Sequence, residues 1–175
     1  NAMYFGVPQS RQRIIFIGVR DDLGIEPSHP AAWSKPVTVR EAICNLLDVG
    51  KKAPEPEKSP YFQNIKNLKE GQSLQAIYKK KGYNWIRVNR YNPCPTINKS
   101  TTYEKLAFLF HPDGNRCLSE NEFKRLHSFP DGMCFAGEYT DVVNRIGNSV
   151  PPLFMKSIAA HIKTEMLAHA PQNPL

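Results

Sequence analysis

Gln9-Ser10-Arg11-Gln12-Arg13 runs directly into Ile14-Ile15-Phe16-Ile17-Gly18, and the reading of this stretch decides the fold. Residues two apart in a strand share a face, so Gln9, Arg11 and Arg13 are expected to project together at the mouth of a strand over 13–20. Ile14, Phe16 and Gly18 then point one way and Ile15, Ile17 and Val19 the other. A strand that is apolar on both faces is buried on both faces, as in the interior of an α/β sheet. Outward from it, residues 21–37 are rich in turn formers, with Pro27, Pro30 and Pro36. Thr38 is placed to cap a short helix, Val39 to Leu47, with Ala42, Ile43, Leu46 and Leu47 on one apolar face.

At the other end, Gly147-Asn148-Ser149-Val150-Pro151-Pro152 leads into a second periodic stretch. Prolines suit a first helical turn, where a missing N–H costs little. Phe154, Ile158, Ile162 and Met166 recur every four residues, with Leu153 and Ala159 beside them, which is a core-facing helix stripe. Between the two ends, 48–60 shifts to Lys, Glu and Pro and reads as a boundary or surface loop. A helix is expected over Leu68–Lys80 and a strand-like run over Tyr83–Tyr91. Ser119-Glu120-Asn121-Glu122 has the spacing of a capping box, opening a short helix that ends before Phe129-Pro130-Asp131-Gly132.

The bulk numbers narrow the classes. The chain has 175 residues, 41% hydrophobic and 22% charged, which is globular rather than disordered composition. No apolar run approaches the ~18 residues of a membrane span. No secretory signal pattern is present, so a cytoplasmic setting is expected. Asn1-Ala2 reads as a tag remnant ahead of Met3. A formal charge of +7 and a pI near 9.3 favour a polyanionic partner. Cys44, Cys94, Cys117 and Cys134 show no Cys-x-x-Cys spacing, and the five histidines no ligand spacing, so reduced thiols and no metal are expected.

Taken together and in this order, the blocks resemble the C-terminal part of a cytosine-5 DNA methyltransferase. Phe5-Gly6-Val7-Pro8-Gln9-Ser10-Arg11-Gln12-Arg13 with Ile-Ile-Phe-Ile-Gly is similar to the block that follows the family's catalytic glutamate. Asn92-Pro93-Cys94-Pro95-Thr96-Ile97 resembles the Pro-Thr-Ile/Leu signature near the end of the target-recognition domain. Arg116-Cys117-Leu118-Ser119 through Glu122-Phe123-Lys124-Arg125-Leu126-His127-Ser128-Phe129-Pro130-Asp131 resembles the ninth block, with Asn121 where an arginine usually stands. Gly147-Asn148-Ser149-Val150 looks like the tenth. The glycine-rich cofactor loop, the Pro-Cys-Gln nucleophile and the Glu-Asn-Val element have no counterpart in the sequence.

The resemblance implies a fold: a C-terminal fragment of a Rossmann-like α/β methyltransferase domain with a small mixed α+β target-recognition domain. Its parts would be residues 1–48 as the tail of the catalytic domain, 49–135 for recognition and 136–175 returning to the catalytic domain. It also implies roles. Methylation at cytosine carbon 5 needs a flipped base and a thiolate added at carbon 6. Cations near O2 and N3 assist that attack, and a guanidinium stays charged and directional. Arg13 is then the O2 contact, Arg11 supports the base pocket, and Gln9 is a positioner at the DNA side. Asn148, Ser149 and Val150 line the S-adenosyl-L-methionine pocket, filled only together with the N-terminal half. Lys80, Arg87, Arg90 and Thr96 contact DNA, the arginines interleaved with aromatics over Tyr83–Asn92. Cys94 follows the Gln-Arg-Arg block and precedes proline, so it is not taken as the nucleophile.

The expected function is a partial cytosine-5 methyltransferase of restriction-modification type, acting on double-stranded DNA and inactive alone. It would be completed by an upstream subunit, or self-associate through the exposed half-domain surface. The alternatives are a stand-alone DNA-binding module, whose affinity should fall steeply with salt, and a non-functional truncated gene product.

Overall fold

The computed structural model describes residues 1–53, 62–79, 85–99 and 109–169. Its regular elements are short. They are β1 (Gln9–Ser10), α1 (Val39–Ile43), α2 (Phe62–Lys66), α3 (Leu74–Tyr78), β2 (Ile86–Arg87), β3 (Cys94–Pro95), β4 (Leu109–Phe110), α4 (Glu120–Leu126), α5 (Tyr139–Asn148) and α6 (Pro152–His161). β1 pairs parallel to β3, with Gln9 opposite Cys94 and Ser10 opposite Pro95. β2 pairs parallel to β4, with Ile86 opposite Leu109.

The expected strand over 13–20 is not formed. Among the described residues no strand pairs with this segment. Burial nevertheless alternates along it: Ile15 and Ile17 lie against a cluster of Phe5, Val7, Phe154 and Ile158, while Ile14 is 82% and Phe16 91% exposed. A ladder needs a neighbour on at least one edge, and two-sided burial needs cover on both faces. Here one face has cover and, among the described residues, no strand lies along either edge. Gln9 and Arg11 share a buried face as read, but Arg13 turns outward and is exposed.

Thr38 caps α1 as expected, its hydroxyl accepting from Glu41 N–H and its own N–H donating to Glu41 Oε2. The helix stops at Ile43, and Leu47 is fully exposed rather than on the apolar face. Of the helix read over Leu68–Lys80 only α3, Leu74–Tyr78, forms among the described residues; α2 ends before that span at Lys66, with a turn between the two. Gly71 at φ 82° sits in that turn, where its N–H donates to Arg87 O, and Ser73 caps α3 by accepting from Ala76 N–H. Of the run Tyr83–Tyr91, only Ile86–Arg87 is strand, and Tyr83 and Asn84 lie outside the described residues. The C-terminal helix forms as read: Phe154, Ile158 and Met166 are buried and Phe5 stacks on Phe154 with ring centroids 5.0 Å apart, though Ala159 is exposed. Past His161 it continues as one π turn, Ile162–Met166.

The largest core joins Val39 and Ile43 of α1 to Val88, Cys94, Ile97 and Leu109, then to Leu118, Phe123 and Leu126, and to Val142, Val143 and Ile146 of α5. It crosses the boundaries drawn from sequence after residues 48 and 135. Asn1 and Ala2, set aside as a remnant, are built into the fold: Ala2 is fully buried and its N–H donates to Arg11 O.

Candidate functional site

Four sequence blocks that lie far apart in the chain meet at two buried side chains. Gln9 is fully buried; its amide nitrogen donates to Leu126 O at 3.3 Å and faces His127 Nδ1 at 3.0 Å, and its Oε1 accepts from Ile97 N–H at 3.1 Å. Arg11, 1% exposed, donates through Nη1 to Ile97 O at 2.6 Å and through Nη2 to Gly147 O at 2.8 Å and Ser149 O at 3.0 Å. Two of those acceptors lie at the C-terminal end of α5, where carbonyls lack intrahelical partners and the helix dipole favours a cation. Among the described residues no carboxylate pairs with this guanidinium, and its Nε is buried without a partner. Burial, and next the charge of Arg13, pull its pKa down to about 10, which still leaves it charged at neutral pH.

Arg11 and Arg13 therefore do not converge on one pocket. Arg13 is exposed, its Nη1 donating only to Gln12 O at 2.6 Å. It edges a shallow cavity of about 160 Å³ with Phe5, Ile15, His29, Pro30, Phe154 and Ile158. Arg13 is thus the arginine of the pair with donors to offer.

The segment 147–150 is the end of α5 rather than an open turn. A Cβ on Gly147 would lie 2.4 Å from Asn98 O and 2.5 Å from Asn98 C, so the glycine is there for close backbone approach. A Gly147→Ala chain should lose about 3 kcal/mol or more, because the obstacle is backbone and cannot swing aside; thermal unfolding measures it, and an unchanged midpoint would show that Asn98 moves freely. Asn148 is exposed and its side chain has no partner among the described residues. Ser149 is spent: its hydroxyl donates to Ile146 O at 2.7 Å and meets His127 Nε2 at 3.0 Å. Val150 is half-buried against the Phe154 cluster. At the start of α6, Pro151 and Pro152 have no N–H and Leu153 N–H donates to Ser128 Oγ.

The residues read as DNA contacts separate. Arg87 is buried and donates to the carbonyls of Leu68, Ile65, His111 and Gly114 and to Asn115 Oδ1, a staple of the middle region. With Gln9 equally enclosed, neither has surface to offer a duplex. Arg90 is partly exposed but held by Glu70 at 2.7 Å and by Asp113. Thr96 donates from Oγ1 to Ser10 O at 2.7 Å. Lys80 lies outside the described residues. Beside Arg90 opens a cleft of about 300 Å³ bordered by Arg40, Cys44, His111, Asp113 and Arg116. Arg40, which sequence reasoning passed over, is exposed there with no side-chain partner among the described residues, and Tyr91 is exposed nearby in the chain. The only signal for Arg40 was its place in the first turn of a capped helix.

The ninth block builds an organised polar cluster. Glu122 receives both Arg116 nitrogens at 2.8 and 2.7 Å and Ser119 N–H at 2.7 Å, completing its side of the capping box. Burial acts to raise the Glu122 carboxyl, but these donors outweigh it and hold the group below its ordinary value. Arg125 grips Asp131 with two bonds, 2.8 and 2.7 Å. Asn121, in place of the usual arginine, donates to Asp48 O and accepts from Lys124 Nζ, tying α4 to the 48–50 loop. Cys94 is enclosed and burial drives its thiol far above the ordinary range, as suits a core side chain and not a nucleophile. His127, fully buried between Gln9 and Ser149, is the residue that sequence reasoning missed. It was quoted only as filler between the leucine and Phe-Pro-Asp of its block. Among the described residues no group of His, Cys, Asp and Glu is arranged to hold a metal, and no helix is long and apolar enough to cross a membrane.

This architecture has known counterparts. A solved E. coli prophage-encoded structure, provisionally assigned as a DNA modification methyltransferase, superposes with a TM-score of 0.71 at 19% identity, covering 95% of this chain and 58% of that one. The fold is therefore that of a methyltransferase. The sequence profile of the C-5 cytosine-specific DNA methylases matches residues 1–164, and the chain belongs to that family. The type II methyltransferase M.MthTI of Methanothermobacter thermautotrophicus is 29% identical over 95% of the chain and 55% of its own length. M.NgoFVII of Neisseria gonorrhoeae is 32% identical over 93% of the chain and 48% of its own length. The chain spans about half the length of the curated relatives it matches. Members of this family use S-adenosyl-L-methionine as methyl donor and act on double-stranded DNA.

Proposed function

We propose that this chain is the recognition-and-closing half of a cytosine-5 DNA methyltransferase, inactive until the other half of the relatives' length is joined to it in the same polypeptide or a separate one. The observation that carries this is the Arg11 junction. It locks the strand block, the Pro-Thr-Ile block and the 147–150 segment together, and leaves Arg13 outside with free donors. The bare side of 14–16 is the seat for the rest of the sheet, which a second copy of the chain would cover in its absence.

The roles divide by exposure. Arg13 donates to the cytosine ring where negative charge accumulates on attack at carbon 6. Arg11 and Gln9 position that segment from inside. S-adenosyl-L-methionine, when bound, supplies the electrophilic methyl group; the unpartnered amide of Asn148 and the half-buried Val150 fit a seat for it, with Ser149 holding the backbone between them. DNA is met by Arg40 and Arg90, which line the cleft, and by Tyr91 and Thr96, which do not. A second reading, DNA binding without methylation, draws on the +7 charge and the unpaired Arg40.

Tritium transfer from S-adenosyl-L-methionine to duplex DNA separates the two. Transfer is expected when the chain is mixed with the protein encoded immediately upstream and absent with the chain alone; transfer in neither tube favours the binding module. In the active mixture Arg13→Ala should lower the transfer rate by on the order of 10²–10³-fold with duplex affinity nearly unchanged. A several-fold loss of affinity would instead make Arg13 a DNA anchor.

A further inference from the structure

We propose that His127 is a positioning residue that holds the 148–150 segment in place through a single tautomer, with its proton on Nε2. The Gln9 amide fixes the assignment. Ile97 N–H can only donate, and it lies 3.1 Å from Oε1; Leu126 O can only accept, and it lies 3.3 Å from Nε2. The amide therefore presents an N–H to His127 Nδ1 at 3.0 Å, and Nδ1 must accept. The ring proton is left on Nε2, which faces Ser149 Oγ at 3.0 Å and Ser149 O at 3.3 Å. The Ser149 hydroxyl has already given its own hydrogen to Ile146 O at 2.7 Å, so it accepts from the ring. Every hydrogen bond in the series Gln9, His127, Ser149, Ile146 thus has one direction only.

The ring has no freedom to depart from this. It is fully buried, stacks on Phe129 with centroids 5.7 Å apart and planes 13° apart, and shares Ser149 O with Arg11 Nη2. Of the two residues flanking Ser149, Asn148 is exposed and Val150 is half-buried, and the chain turns at Ser149 out of α5 toward Pro151 and Pro152. Fixing Ser149 by its hydroxyl and carbonyl fixes the register in which Asn148 faces solvent and Val150 packs toward Phe154. The cofactor consequence rests on the reading of these residues as part of the S-adenosyl-L-methionine seat; the tautomer and its hold on Ser149 do not.

The test uses the full chain and two variants that each keep one half of the ring's bonding. Asparagine places an amide oxygen near Nδ1 and so preserves the Gln9 contact; glutamine places an amide nitrogen near Nε2 and preserves the Ser149 contact. Nitrogen-15 NMR of the histidine rings should show His127 protonated at Nε2 and bare at Nδ1. Hydrogen exchange at Ser149 and Val150 should quicken about tenfold in His127→Asn, the loss of one hydrogen bond, and stay near the parent in His127→Gln. A ring protonated at Nδ1 would overturn the proposal, as would equal exchange in the two variants, and the ring spectrum decides even if a variant fails to fold. In the mixture with the upstream protein, S-adenosylhomocysteine affinity should fall about tenfold with asparagine and less than twofold with glutamine. Failure of the parent mixture to bind it would sink the cofactor reading while leaving the spectrum and exchange to judge His127.

Discussion

Replacing Arg11 with leucine is expected to lower the stability of the chain by about 3 kcal/mol, among the largest losses for any single side chain outside the apolar core. The residue donates to Ile97 O, Gly147 O and Ser149 O, of which only Ser149 O has another side-chain donor among the described residues, His127 Nε2. An unsatisfied buried carbonyl costs about 1–3 kcal/mol, and leucine leaves two without their side-chain donor, those of Ile97 and Gly147. The opposing term is relief of a buried charge that has no carboxylate partner, which offsets part of that sum. Lysine should be intermediate: one ammonium cannot span carbonyls on two separate segments as a planar guanidinium does. Urea unfolding of the three chains measures the order, with arginine first, lysine second and leucine last. A leucine chain as stable as the parent would mean that the Ile97 and Gly147 carbonyls find water and that the junction is not held by Arg11.

How much of this was legible in the sequence follows from what each signal measures. Periodicity reports a face, and the C-terminal stripe was read correctly because Phe154, Ile158 and Met166 all meet the fold's own core. The same logic failed at 13–20, where Ile14 and Phe16 carry a strand's apolarity but the described residues provide no edge to pair with. Local hydrogen-bond chemistry was legible: Thr38 caps α1 where it was expected to, and at the three-residue spacing Glu122 takes the Ser119 N–H, although Ser119 Oγ is buried without a partner among the described residues. The effect of one left-handed residue was not: Gly71 stands where the expected 68–80 helix would run, and α3 starts only at Leu74. Helix α5 went unread because Thr140, Asn144 and Gly147 dilute its apolar positions, Val142, Val143 and Ile146, which are buried all the same. The arginines are the sharper lesson. A sequence shows a cation, and burial decides whether it meets a ligand or a carbonyl. Arg87 and Arg11 are turned inward to main-chain oxygens, while Arg13 and the overlooked Arg40 face solvent.

Between pH 7.5 and pH 5 the chain should lose about 2 kcal/mol of stability through His127 alone, and roughly 4 kcal/mol by pH 3. Burial, and next the positive charge of Arg11, press its pKa from 6.5 down to about 3, although the Ser149 carbonyl pulls the other way. The sign follows from proton binding. Below pH 6.5 the unfolded chain takes up a proton on this ring and the folded chain does not, so falling pH favours unfolding; above pH 6.5 neither form is charged and the contribution is constant. The loss ceases only near pH 3, where the folded ring is finally protonated and its second N–H is set against the Gln9 amide, which is itself a donor. Glu122 adds a separate acid-side loss, since its carboxyl is held below the ordinary value by Arg116 and Ser119 and its contribution disappears as pH falls through that lowered value. The two are separable by substitution. Urea midpoints measured at half-unit steps should fall less steeply between pH 7.5 and 5 in His127→Gln than in the parent, by the same ~2 kcal/mol, because glutamine has nothing to titrate. Parallel slopes in the two chains would show that the ring is protonated in the folded state within that window, and would remove the enclosed neutral imidazole on which the fixed direction of the Gln9–His127–Ser149 series depends.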